Sequence, residues 1–173
     1  MEITTASTEE YQEVRLFYHS LIDAFQDSPY HPLWQKDVYP SPEDIKNAID
    51  ENSLFVGRTE DHIVGAMVLN HKCNDSYQNV MWPIELQQDE FMVIHMLGVH
   101  SDFEGRGFGR EFVQYAIDHA RETGMKAIRL DVLEGNPPAN QLYEAFGFVQ
   151  VDTISMFYED TGWSDFRLYE LRL

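Results

Sequence analysis

Between Val99 and Gly109 the chain reads Val-His-Ser-Asp-Phe-Glu-Gly-Arg-Gly-Phe-Gly, with glycines at alternate positions 105, 107 and 109. Phe91 to Val99 is nearly all apolar and reads as a buried strand. After the loop, Phe108, Phe112, Tyr115, Ala116, His119 and Ala120 recur at helical spacing until Gly124 stops the helix. A strand, a glycine-rich turn and a helix in that order form an anion cradle. Glycines let the backbone approach a phosphate closely, and the first N–H groups of the helix point outward at the positive end of its dipole.

Spacing separates the readings of this loop. A nucleotide P-loop needs Gly-Lys-Ser or Gly-Lys-Thr, and no lysine follows here. A dinucleotide fingerprint fits Gly105 and Gly107, but Arg110 takes the third position, where close helix–strand packing wants a small residue. Its acidic partner would be Asp131, which lies inside the apolar run Ala127 to Leu133 and not at its end. The acyl-CoA pyrophosphate pattern, Arg/Gln-x-x-Gly-x-Gly/Ala, is matched at both glycines by Glu104-Gly105-Arg106-Gly107-Phe108-Gly109.

At these residues the chain resembles the GNAT N-acetyltransferase family. Asn136-Pro137-Pro138-Ala139-Asn140-Gln141-Leu142-Tyr143-Glu144-Ala145-Phe146-Gly147-Phe148 is similar to that family's Asn-x-x-Ala-x-x-Leu-Tyr-x-x-x-Gly-Phe segment. His95-Met96-Leu97-Gly98-Val99 resembles the strand that pairs with the pantetheine arm. Glu104 stands where the family usually has Arg or Gln, so the loop relies on backbone donors with Arg106 or Arg110. Gly98 replaces a more usual alanine, at little expected cost.

The resemblance implies an α/β (α+β) fold in one domain over residues 1–173, a mixed central sheet of about six to seven strands flanked by about four helices. It implies acetyl-CoA as co-substrate, held by Leu97, Gly98, Val99, Gly105, Arg106, Gly107, Phe108, Gly109, Arg110 and Asn136. Tyr143, in the Leu-Tyr step, matches the general-acid tyrosine; as a plain core aromatic it would instead pack at helical spacing from Phe146. The implied activity is acetyl transfer to a primary amine of a small molecule or peptide by direct attack in a ternary complex. The alternative is an acyl-CoA-binding module of the same fold without turnover.

Amine attack on a thioester requires a proton acceptor. His95 titrates in the useful range, and it also fits a hydrogen-bonded structural histidine. Asp131 lies on the next strand five residues before Asn136; Glu85, Glu90, Glu134 or a water chain remain as alternatives. His19, His31, His62, His71, His100 and His119 show no metal-ligand spacing, so no metal is expected.

The formal charge of −18 argues against nucleic acid as a partner, since that binding needs Lys and Arg against phosphate. Residues 106–129 nevertheless carry five of the 12 Lys and Arg against three acids, which suits an anionic ligand. Within that stretch Arg121, Lys126 and Arg129 read as solvating a helix end and a strand edge. Tyr30, Trp34, Tyr39 and Trp82 could line an acceptor pocket or cap the core. The acidic stretch 70–90 is expected to border that pocket and to favour a cationic amine.

The remaining elements follow from local signals. Glu2 to Ala6 reads as a strand, and Ser7 or Thr8 caps a helix to about Phe25 that buries Val14, Phe17, Leu21 and Ile22. A turn-rich stretch runs from Asp27 to Pro42, and a helix begins near Ser41-Pro42-Glu43-Asp44. Leu54 to Arg58 and Ile63 to Leu69 form a hairpin around Glu60-Asp61, and strands follow at Phe148 to Tyr158 and Asp165 to Leu173. One cysteine, Cys73, excludes an internal disulfide. No leader-like N-terminus and no membrane-length apolar run is seen, so a cytoplasmic location without membrane association is expected, and a homodimer is compatible with the reading.

Overall fold

A computed structural model describes residues 1–26, 28–30, 32–60 and 62–173. Asp27, His31 and Asp61, each named above in a turn or among the histidines, lie outside the described residues. Seven strands form one sheet: β1 (Glu2–Thr5), β2 (Leu54–Thr59), β3 (His62–Asn70), β4 (Phe91–Val99), β5 (Ala127–Leu133), β6 (Val149–Tyr158) and β7 (Gly162–Arg172). Their order is β1-β2-β3-β4-β5-β7-β6, and β4–β5 is the parallel pair. The mixed sheet matches the expected architecture.

Four α-helices cover its two faces: α1 (Tyr11–Phe25), α2 (Pro42–Asp50), α3 (Phe108–Glu122) and α4 (Pro137–Glu144). Each starts on a local signal. Ser7 and Glu10 form a capping box around a single 3₁₀ turn before α1, and Ser41 and Asp44 form another, with Pro42 in the first turn of α2. The Asn136 side chain caps α4 by accepting from the Ala139 N–H, and Gly147 leaves that helix with a φ of 88°.

Strand alternation distributes the core. Ala66 and Val68 of β3 face α1 and α2, packing with Val14, Leu21 and Ile45. Met67 and Leu69 face α3, packing with Phe112, Val113 and Ala116. A third cluster lies under the 70–90 connection, where Tyr77 and Val80 cover Phe91, Val93 and Leu168.

Arg129 departs from the sequence reading. It is buried in β5, with its guanidinium 4.2 Å from the ring centroids of both Trp82 and Phe91 and paired to Glu170 at 3.0 Å. A buried guanidinium needs such company, and Trp82 from the long connection supplies it. Trp82 is therefore engaged with Arg129. No helix among the described residues is long and apolar enough to cross a membrane.

Candidate active site

The site is created by a failure of strand pairing. β4 and β5 pair only at Phe91–Ala127, Met92–Ile128 and Val93–Arg129. Beyond these the strands part. On its other side β4 carries a bulge, because Met96 and Leu97 together oppose Met67 of β3. Met96 has a φ of 55°, an uncommon value for a residue with a Cβ, and the buried Tyr18 hydroxyl donates to its carbonyl at 3.0 Å. The bulge re-aims the second half of β4 and leaves its edge without a β5 partner.

A cavity of about 120 Å³ opens in this gap, and it gathers five of the predicted site residues: His95, Leu97, Asp131, Asn136 and Tyr143. Gly98 and Val99 continue β4 opposite Ala66 and Gly65. At Gly98 an added Cβ would stand 2.3 Å from Leu21 Cδ2, so Leu21 fills the space an alanine methyl would take. An alanine here would require Leu21 to move.

The glycine loop lies at the start of α3. Gly105 and Gly107 have φ of 73° and 84°, left-handed values that a side chain disfavours, and a Cβ on either would meet nothing within 4 Å. Their need for glycine is conformational and also leaves the backbone open to solvent. The N–H groups of residues 105–110 find no acceptor among the described residues, whereas the Glu111 N–H is taken by the Gly107 carbonyl. A row of free donors at a helix N-terminus is suited to a pyrophosphate.

Arg106 and Arg110 flank these donors. Arg106 packs on Phe103 at 5.3 Å and Arg110 on Phe146 at 4.8 Å, and neither is ion-paired with a carboxylate among the described residues. Lys126 and Arg129 are by contrast taken up by Glu90 and Glu170. Gly109 brings the loop to α4, where its added Cβ would touch Leu142 at 3.5 Å. Glu104 is exposed at the loop entrance. The donor set fits a phosphorylated ligand, and the strand gap fits an extended arm.

Tyr143 is buried, edge-on to Phe148, and its hydroxyl has no hydrogen-bond partner among the described residues. Burial raises its pKa well above the ordinary phenol range, so it is protonated through neutral and mildly alkaline pH.

His95 Nε2 lies 2.9 Å from the Lys72 carbonyl. A carbonyl only accepts, so the proton belongs on Nε2 and the lone pair on Nδ1. Burial lowers the histidine's pKa, which keeps the ring neutral near pH 7. Asp131 accepts from the Tyr77 hydroxyl at 2.7 Å and the Tyr158 hydroxyl at 3.1 Å, both at Oδ2. Burial raises its pKa, and the two phenols pull it back part of the way.

Tyr77 and Tyr158 were not singled out from sequence. Tyr77 stands in a polar stretch without periodicity, and Tyr158 looks like any strand aromatic. Glu134 is paired to Arg167 and Glu90 to Lys126, while Glu85 borders a different depression, so none of the three reaches this cavity. The acids of 70–90 are absent from its lining too; Asp131 and Asp160 are the carboxylates present. Of the expected aromatics, Trp34 and Tyr39 line it, and Tyr30 is exposed elsewhere.

Residues 15–148 match the sequence profile of the acetyltransferase (GNAT) family. The chain belongs to that family. A mycothiol acetyltransferase from Thermomonospora curvata is 33% identical over 127 residues, 73% of this chain and 37% of that protein. An uncharacterized N-acetyltransferase of Methanocaldococcus jannaschii is 29% identical over 105 residues, 61% of this chain and 42% of that one. The chain spans less than half the length of these curated relatives. Among solved structures, a GNAT-family acetyltransferase from Streptococcus agalactiae superposes with a TM-score of 0.81 at 17% identity, covering 99% of this chain and 95% of that one.

Proposed function

We propose that this chain is an acetyl-CoA-dependent N-acetyltransferase acting on a primary amine by direct attack in a ternary complex. The carrying observation is that His95 and Tyr143 line one cavity in the strand gap, while the N–H groups of residues 105–110 at the start of α3 have no acceptor among the described residues. In support of the co-substrate, a solved relative in fold from Salmonella typhimurium, with a TM-score of 0.69, holds acetyl-CoA as its cofactor. Here the N–H groups of residues 105–110 with Arg106 and Arg110 would hold the pyrophosphate, and Leu97–Val99 with Asn136 would hold the pantetheine arm. The bound thioester supplies an activated acetyl group and a thiolate leaving group.

The residues divide the proton traffic. An alkylammonium must lose a proton before it attacks, and the neutral His95 ring, with Nδ1 unprotonated, accepts it directly or through water. Asp131 stabilises the cation that forms. The amine nitrogen gains its bond to the acyl carbon as the carbon–sulfur bond breaks, and the Tyr143 hydroxyl gives the departing thiolate its proton. Each group rests in the protonation state its role requires, His95 neutral and Tyr143 protonated.

Incubation with acetyl-CoA and a panel of amines, followed by free-thiol release, tests this. Thermal denaturation tests binding separately, because a ligand at about 100 times its Kd adds roughly 2.7 kcal/mol of stability. Thiol release above the rate without amine is the expected result. Absence of both release and thermal shift at millimolar acetyl-CoA overturns the reading, and a shift without release with any amine leaves a binding module.

A further inference from the structure

The proposed chemistry uses Asp131 but leaves Asp160 and the aromatic wall of the cavity without a task. Asp160 lies at the tip of the β6–β7 hairpin, which Gln35 ties down by donating to its carbonyl at 2.7 Å. Its carboxylate is half-buried and has no ion pair among the described residues. Nor has Asp131. Among the described residues no Lys or Arg lines the cavity, and nine of the 12 such side chains are paired with carboxylates elsewhere. Burial raises the pKa of both carboxyls; once ionised, and with no described Lys or Arg beside them, they favour a cationic ligand and repel a ligand carboxylate.

The wall between the two acids is aromatic. Trp34 and Tyr39 ring centroids are 5.9 Å apart, Tyr39 and Tyr158 6.2 Å, and Tyr158 and Phe166 5.1 Å. Tyr39 stands within electrostatic reach of both Asp131 and Asp160; after burial itself, these carboxylates are among the causes that raise its pKa. Such faces attract organic cations.

We infer that the acceptor is a small primary amine bearing a second positive charge, its reacting nitrogen at His95 and Asp131 and its other cation at Asp160 beside Tyr39. This rests on the reading of the cavity as the acyl-transfer site. Transfer exchanges an ammonium for a neutral amide and leaves the second cation intact. One acetylation therefore removes half of the charge recognition, and the mono-acetylated product is a poor substrate for another round.

The test compares 1,5-diaminopentane, 1-aminopentane and 5-aminopentanoate at saturating acetyl-CoA, read by thiol release and by mass spectrometry of the products. A charge-assisted contact at Asp160 predicts a kcat/KM for the diamine about 10–100-fold above the monoamine, with the ω-amino acid lowest. The product is expected to be mono-acetylated. Asp160→Asn should bring the diamine-to-monoamine ratio towards one. Equal rates for the three amines overturn the inference without recourse to any variant, and so does a ratio unchanged in Asp160→Asn. Calorimetry with acetyl-CoA on the same preparations separates the two levels. Binding and release without charge preference sink the inference alone, while absence of binding sinks it together with the acyl-transfer reading.

Discussion

Tyr18, on α1, donates its hydroxyl at 3.0 Å to the carbonyl of Met96, the only non-glycine residue of a described strand with positive φ. The bond ties a helix to the bulge that separates β4 from β5. Tyr18→Phe keeps the ring and leaves a buried carbonyl without its donor, a loss of about 1–3 kcal/mol. If the bulge shapes the gap, affinity for acetyl-CoA should fall along with stability. Calorimetry and denaturant unfolding on the same variant check both; a loss of stability with affinity unchanged would show that the bond serves the core alone.

Asp131 gives a pH dependence whose sign can be worked out. Its folded pKa is raised by burial, so the folded state prefers the protonated form more than the unfolded chain does. The associated stability is present below the ordinary carboxylate range and is lost as pH rises through the raised value. Asp131→Asn, which can still accept from Tyr77 and Tyr158, should therefore have a higher Tm than the parent at pH 7–8. The difference should shrink towards pH 4. Thermal unfolding across that range measures it, and a lower Tm for the variant at pH 8 would contradict the direction.

Legibility from sequence followed the range of the interactions. The glycine loop, the starts of α1 and α2, and Tyr143 on its helix are local features, and a residue's neighbours in the chain are enough to place them; the Asn136 cap of α4 was not read from sequence. Asp131 was visible as a candidate, but its clamp was not, because Tyr77 is 54 residues away in a stretch without pattern. The bulge at Met96 escaped notice for another reason: it uses no glycine. Arg129 looked like an edge residue because its burial depends on where Trp82 falls, and a loop's path is not written in its periodicity.

Gly98 provides a packing test. Adding a methyl there meets Leu21 Cδ2 at 2.3 Å in a fully buried environment, and overpacking of this kind costs about 1–3 kcal/mol. Gly98→Ala should destabilise the protein accordingly. In a Leu21→Val background the same change should cost much less, since the clashing methyl has moved. A double-mutant cycle by denaturant unfolding reads the coupling, and additive effects would show that Leu21 is not the obstacle.

The loop glycines make a different prediction, because they are strained and not crowded. Gly107→Ala places a side chain at a φ of 84° with open space around it, so a stability loss of about 1–2 kcal/mol is expected from conformation alone. Relaxation of that strain would move the N–H groups at the start of α3, and acetyl-CoA affinity should fall by about tenfold or more. Arg106→Ala, by comparison, should weaken binding without lowering stability, and the weakening should diminish at high salt. Equal affinity in Gly107→Ala and the parent would show that the loop backbone does not hold the pyrophosphate.

Tyr143 decides whether the site turns over by acid assistance. Its hydroxyl has no protein partner among the described residues, so replacing it with hydrogen breaks no described hydrogen bond, and Phe preserves the edge contact with Phe148. Tyr143→Phe is therefore expected to fold with nearly unchanged stability and to bind acetyl-CoA normally. Turnover should fall by about 10²–10⁴-fold if the hydroxyl protonates the leaving thiolate. Because the pKa of Tyr143 is raised, the parent should keep this assistance to alkaline pH, with no loss of rate near the ordinary phenol range. A pre-steady-state burst measurement guards against product release masking the chemical step. A Phe variant that keeps more than about half of the parent kcat, with chemistry limiting, would return Tyr143 to the role of a core aromatic.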